Sequence, residues 1–252
     1  MGKRVGVVIL GDEVLKAEIR EANIGYIVPT LNEWGAEVVL CAILPDNVTV
    51  VVRHLRAYLE EADLLVITGG IGPTPDDITR EAVALAEGVP LVVHPEAKAR
   101  LTDYYKDRMN EYRMLMAKVP EGATLIPNPV SAAPGFFTGR MAVFPGIPLL
   151  LHEMFAWLKP HVAGRRKSRV TLYSKTPESA YAGIMREAMD AFPTISVGSY
   201  PMLEGDYRVR VVFRADDLRR AVACADFFAE KLRGAGWEIS RREEEEGGED
   251  VG

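Results

Sequence analysis

The sequence predicts an α/β protein in two parts: a larger domain on a doubly wound, mostly parallel sheet, and a small α+β domain of ferredoxin-like βαββαβ order. Three observations predict it. Unbroken apolar runs, VGVVIL at Val5 to Leu10 and DLLVIT at Asp63 to Thr68, read as strands covered on both faces. Stretches with helical spacing separate the strands, as right-handed βαβ units require. After Pro160 the rhythm changes to strand, helix, strand, strand, helix, strand.

Each element has its own signal. Val5 to Leu10 is the first buried strand. Glu18 to Trp34 carries Ile19, Ala22, Ile24, Ile27, Val28 and Leu31 at helical spacing, and Gly35 stops that helix. Glu37 to Leu44 is the second strand. Asp46 or Asn47 can cap a helix over Val48 to Glu61. Asp63 to Thr68 is the third strand, Asp77 to Ala86 a helix, and Pro95 to Lys118 a long polar helix rich in Lys, Arg and Tyr. Short strands follow near Thr124 to Ile126, Phe136 to Thr138 and Ala142 to Phe144, and Ile147 to Leu158 forms a helix ahead of Pro160. In the second part Ser168 to Ser174, Ile195 to Ser199, Tyr207 to Phe213 and Trp237 to Ile239 read as strands. Pro177 to Ala191 and Asp216 to Arg233 read as helices. The expected divisions are 1–163, 164–240 and an acidic tail, 241–252, disordered because a glutamate block has nothing to bury.

Charge narrows the function classes. The net charge is -6, of which the tail supplies -4 (two basic and six acidic residues), so the basic surplus of a nucleic-acid binder is missing. The apolar run in MGKRVGVVIL is too short for a signal peptide or a membrane span, which leaves a cytoplasmic protein without a membrane partner as the expectation. Cys41 and Cys224 lie far apart in apolar runs and read as reduced core residues. His54, His94, His152 and His161 show no metal-binding spacing, and Met109, Met114 and Met116 read as core or interface filler.

Ligands of open parallel sheets bind at the carboxyl ends of strands. Three such loops are polar here: Gly11, Asp12 and Glu13 after the first strand, PDN with Asp46 after the second, and TGGIGPTPDD after the third. Gly69, Gly70 and Gly72 permit positive φ and let backbone N–H groups face a ligand without an intervening Cβ. A helix N-terminus behind them makes a phosphate site. The pattern is neither a Walker loop nor a dinucleotide fingerprint. Singly, Asp76 or Asp77 would be a turn or cap residue, but a plain turn needs neither three glycines nor the hydroxyls of Thr74 and Thr79. Acidic loops beside a phosphate cradle repel the ligand unless a divalent cation intervenes. Mg²⁺ suits that position because it binds through one or two carboxylates plus substrate phosphates.

With these loops located, the chain resembles the molybdopterin-binding domain family, which includes MogA, MoaB, the gephyrin G domain and the amino-terminal domain of CinA. The resemblance runs from about Lys3 to Pro160 and is nearest to CinA-type and stand-alone archaeal CinA-like proteins. It rests on GDEVL from Gly11, Asn23, TGGIGPTPDDITREA from Thr68, NPVSAAPGF from Asn128 and PGIP from Pro145, with MAKVPEGA from Met116 and GSYP from Gly198 on the archaeal side. It implies a three-layer α/β sandwich that binds molybdopterin or a nucleotide. Asp46 and Asp77 match two aspartates on which adenylation or binding depends, with Mg²⁺, in MogA-like members. CinA-type relatives are associated with metal-dependent hydrolysis of ADP-ribose-like pyrophosphates. Leu150 stands where many members carry Glu, and deamidation is not expected because the amidase part of full CinA has no counterpart here.

The expected site follows. Asp46 and Asp77 are the catalytic candidates, and Asp46, Asp76 and Asp77 the ligands for Mg²⁺ or another divalent cation such as Co²⁺. Gly11, Asp12, Glu13, Asn23, Thr68, Gly69, Gly70, Gly72, Thr74 and Thr79 are placed around the phosphate, with Ser131, Pro134 and Gly135 as the opposite wall. The expected chemistry is phosphoryl or pyrophosphate transfer or hydrolysis. A non-catalytic pterin or nucleotide carrier and an oligomeric scaffold remain alternatives. The expected partners are a small phosphate-bearing molecule and further copies of the chain, as a dimer or trimer.

Overall fold

In the computed structural model, which describes residues 2–248, the chain divides between Gly164 and Arg165 into two units. The first contains β1 (Arg4–Leu10), α1 (Asp12–Leu15), α2 (Ile24–Glu33), β2 (Glu37–Leu44), α3 (Val48–Glu61), β3 (Leu64–Thr68) and α4 (Thr79–Glu87). It continues with β4 (Leu91–Val93), α5 (Pro95–Tyr105), α6 (Glu111–Leu115), β5 (Lys118–Pro120) and β6 (Thr124–Ile126). It ends with β7 (Gly135–Phe137), β8 (Met141–Phe144), α7 (Pro148–Phe155) and α8 (Lys159–Val162). The main sheet runs β2-β1-β3-β8-β7-β6. Its first four strands are parallel, and β7 and β6 each reverse direction. Alternate residues of β1 enter opposite cores: Val8 and Leu10 pack under α3 and α4, Val7 and Ile9 under α2 and α7. Burial on both faces is why these strands read as unbroken apolar runs.

The second unit contains β9 (Ser168–Ser174), α9 (Glu178–Ala191), β10 (Ser196–Pro201), β11 (Val209–Ala215), α10 (Leu218–Gly234) and β12 (Arg241–Glu245). Its sheet, β10-β11-β9-β12, is antiparallel throughout, the ferredoxin-like order. Tyr181, Phe228 and Leu232 of the two helices pack on Leu172, Val211 and Phe213 of one sheet face.

Four expectations need correction. The helix expected from Glu18 begins only at Ile24, because the Glu21 carboxylate accepts the N–H groups of Asn23 (2.6 Å) and Ile24 (3.0 Å) and Ala17 sits at φ 58°. The helix expected over Pro95 to Lys118 breaks at Lys106 (φ 47°). Asn110 then caps α6 by accepting the Arg113 N–H, and β5 pairs with β4, neither strand having been foreseen. Cys224 is buried, with its thiol pushed up to about 11 by burial, but Cys41 is exposed on the edge strand β2. The last strand is not Trp237 to Ile239 but Arg241–Glu245, part of the expected disordered tail. An edge strand needs backbone pairing and not burial, and β12 obtains it from β9, with Tyr173 donating to Glu243 (2.8 Å) and Arg242 bonded to Asp226 (2.5 Å). Residues 249–252 of that tail lie outside the described residues. Among the described residues no helix is long and apolar enough to cross a membrane.

Candidate ligand cleft

A cleft of about 510 Å³ opens at the carboxyl ends of β1 and β3. Residues 68–73 form its floor, residues 19–23 and 145–148 its sides, and Glu13, Asp77, Asn128 and Ser131 also line it. The floor is built by Thr79. Its hydroxyl donates to the Gly69 carbonyl (2.7 Å) and its N–H to the Gly70 carbonyl (3.1 Å). In a trans peptide the C=O and N–H point in opposite directions. The N–H groups of Gly70 and Ile71 are therefore turned away from Thr79, and among the described residues neither has a partner. Glycine is required here: Gly69 and Gly70 have φ 103° and 62°, and a Cβ on Gly70 would lie 2.3 Å from the Thr79 hydroxyl. Thr79, expected at the phosphate, is fully buried beneath the loop and orients its peptides.

Asp77 closes the loop. One carboxylate oxygen accepts the Gly72 N–H (2.6 Å), and the other accepts the N–H (2.8 Å) and hydroxyl (2.5 Å) of Thr74. Below the loop, Arg80 is only 5% exposed and donates to the carbonyls of Gly72 (3.2 Å) and Ile71. Burial pulls its pKa down to about 10 against the opposing charge of Asp77. The sequence reading missed Arg80. The available signal was an arginine at helical spacing among the apolar residues Val83 and Ala84 that α4 buries.

The acidic side of the site joins two strand ends. The Asp12 N–H donates to Asp46 (2.9 Å), the Asp46 N–H donates back to Asp12 (3.2 Å), and Lys16 pairs with Asp12 (2.9 Å). The Lys16 hydrogen bond, helped by the Asp46 N–H, holds the Asp12 carboxyl below the usual range. Burial, with the charges of Glu13, Asp12 and Asp76, pushes Asp46 up against the Asp12 N–H. Asp76 is exposed. Among the described residues no group of three or more His, Cys, Asp or Glu converges as a metal cage. Oxygen donors from one or two carboxylates still fit a hard cation whose shell a ligand phosphate completes.

Asn23 and Thr68 act as a staple. The Asn23 amide donates to the Gly146 carbonyl (2.9 Å) and to Thr68 (3.3 Å), whose hydroxyl donates to the Pro145 carbonyl (2.8 Å). Ser131 lines the cleft, held by Asn128. Pro134 and Gly135 are buried outside it, and a Cβ on Gly135 would lie 2.4 Å from the Val143 carbonyl, so that glycine serves strand packing. Of the predicted residues, Glu13, Asn23, Thr68, Gly69, Gly70, Gly72, Asp77 and Ser131 come together in the lining. Gly11, Asp12, Asp46, Thr74, Asp76 and Thr79 support or flank it instead. The apolar walls include Ile19, Met116, Ile147 and Leu150, none of which the sequence placed at the ligand.

Residues 6–164 match the family model described as a probable molybdopterin binding domain, and residues 168–239 match the middle domain of FAD synthase. A protein from Aeropyrum pernix is 32% identical over 249 residues, 91% of this chain and 92% of that one. A CinA-like protein from Frankia casuarinae is 30% identical over 92% of this chain, which spans 59% of that protein's length. The chain spans 58% of a Desulforudis audaxviator relative, at 32% identity. Among solved structures, the protein CinA with unknown function from Thermoplasma acidophilum is 30% identical with a TM-score of 0.60, over 64% of this chain and 99% of that one.

Proposed function

The chain belongs to the probable molybdopterin binding domain family, near CinA, and from that premise we propose that its cleft binds a phosphate-bearing pterin or nucleotide and hydrolyses a pyrophosphate link. The observation that carries the reading is the pair of unpartnered amides at Gly70 and Ile71, turned outward by the Thr79 clamp. Two adjacent N–H groups of a glycine loop clamped to the first residue of a helix suit a phosphate oxygen. The apolar walls suit the ring of the same ligand and limit water around the phosphate.

Asp46 and Asp76 would hold Mg²⁺ or another divalent cation such as Co²⁺, because both oxygens of Asp77 are engaged by the loop. A bound cation supplies charge neutralisation and a polarised phosphoryl oxygen. In the hydrolysis, water adds to one phosphorus and the bridging oxygen leaves on the other product, so ADP-ribose yields AMP and ribose phosphate. The chain's own part is to hold the phosphate on the amides and to shield the ring. Binding without turnover is the second reading, favoured by the full engagement of Asp77 and by the Lys16 pairing of Asp12. Self-association as a dimer or trimer, through the second unit, belongs to the same proposal, as does a cytoplasmic setting.

The test incubates the purified chain with ADP-ribose, FAD and NADH, with Mg²⁺ or Co²⁺, and follows AMP. AMP release by the wild type that Asp46→Ala abolishes, with ADP-ribose binding retained, is the expected result. Binding without AMP leaves the carrier reading in place of the hydrolase. No binding of any of the three sinks the cleft reading.

A further inference from the structure

We propose that Arg80 is a buried counter-charge for the bound phosphate, holding the Ile71 and Gly72 carbonyls from below while its cation attracts the anion above. The inference rests on the cleft reading and adds the group that gives the floor its sign.

Two observations separate this role from that of a strut. First, the guanidinium is fully charged at neutral pH and buried, yet no carboxylate bonds it among the described residues. The two oxygens of Asp77, whose charge it feels, are taken by Gly72 and Thr74. Second, its Nε is buried without any partner. Neutral donors could brace two carbonyls, whereas a buried charge whose opposing carboxylate, Asp77, is hydrogen-bonded elsewhere costs stability. Such an arrangement is expected where a ligand of opposite sign completes it. The positive end of α4, a nine-residue helix, adds to the same floor. The site is thus two-sided, cationic below the glycine loop and acidic at the ends of β1 and β2.

The test uses the full chain with ADP-ribose and inorganic pyrophosphate as probes. R80M removes the charge and keeps most of the stem, while R80K restores the charge. The expected result is an R80M melting temperature, without ligand, equal to or above that of the wild type, with both probes bound at least about tenfold more weakly. R80K is expected to recover most of that affinity. An R80M protein that melts several degrees lower yet binds within about twofold of wild type makes Arg80 a strut and overturns the proposal. Salt supplies a second measurement if R80M does not fold. A buried charge is little screened, so wild-type affinity for pyrophosphate should change less than about fivefold between roughly 0.05 and 0.5 M KCl. A loss of about a hundredfold over that range assigns the attraction to exposed cations and overturns it too. Wild type that binds neither probe overturns the cleft reading itself; wild type and R80M that bind equally overturn Arg80 alone.

Discussion

At Asp46, burial and three neighbouring carboxylates act in the same direction. Its folded carboxyl holds a proton more tightly than the unfolded one does. Stability therefore falls as pH rises through the window between the unfolded value and the raised folded value, and stays lower above it. Asp46→Asn keeps an oxygen for the Asp12 N–H and removes the charge. Urea titrations from pH 4 to neutrality, chosen to span roughly that window, should show a flatter profile and a higher neutral midpoint for the variant. A lower midpoint at neutral pH would mean that the Asp46 charge is stabilising. Gly70→Ala forces a left-handed φ on a residue with a Cβ and drives that Cβ into Thr79. We expect a loss of about 2 kcal/mol in urea unfolding and the disappearance of ligand-induced stabilisation. Unchanged unfolding would show that the loop relaxes freely. The glycines were legible in the sequence because turn chemistry is local. The duty of Asp77 was not, because its partners are fixed only when the loop closes.

The strands β2 and β9 and the helix α3 were legible to within a residue or two. The stretch from Pro95 to Lys118 was not, since its polar composition permits a helix throughout, whereas the chain breaks after Tyr105, restarts as α6 under the Asn110 cap and enters β5 only at Lys118. Lys106 at φ 47° marks the first of those breaks. Lys106→Gly should therefore leave stability unchanged or raise it, whereas glycine inside a continuous helix costs about 0.5–1 kcal/mol. A lowered melting temperature would restore the continuous helix. At the other end, β12 is composed of charged side chains and holds its place through the backbone. Ending the chain after Ser240 should speed amide exchange along β9, measured by mass spectrometry, because that strand then becomes an edge. Unaltered exchange there would mean that β12 does not protect it.

The whole chain separates its tasks. Every residue lining the cleft lies in the first unit. Residues 1–164 produced alone should bind ADP-ribose within about threefold of the full chain by calorimetry, with any loss of self-association traced to the missing second unit. A cleft that fails in the isolated unit, while that unit stays folded, would assign the second unit a share in the site. By itself the sequence determined the mostly parallel sheet, the split βαβ unit that follows it in the chain, and the glycine loop with its acidic neighbours at the strand ends. Hydrophobic period and turn chemistry act between residues close in the chain, so they can be read there. Which atoms of that loop are held by Thr79 and which are turned away from it was decided only by the tertiary structure. Thr79 and Arg80 turn the peptides from below, and Asn23 ties the loop to Gly146, more than a hundred residues away. Those bonds join positions that no local pattern connects, and they form only once the helix has packed on the sheet.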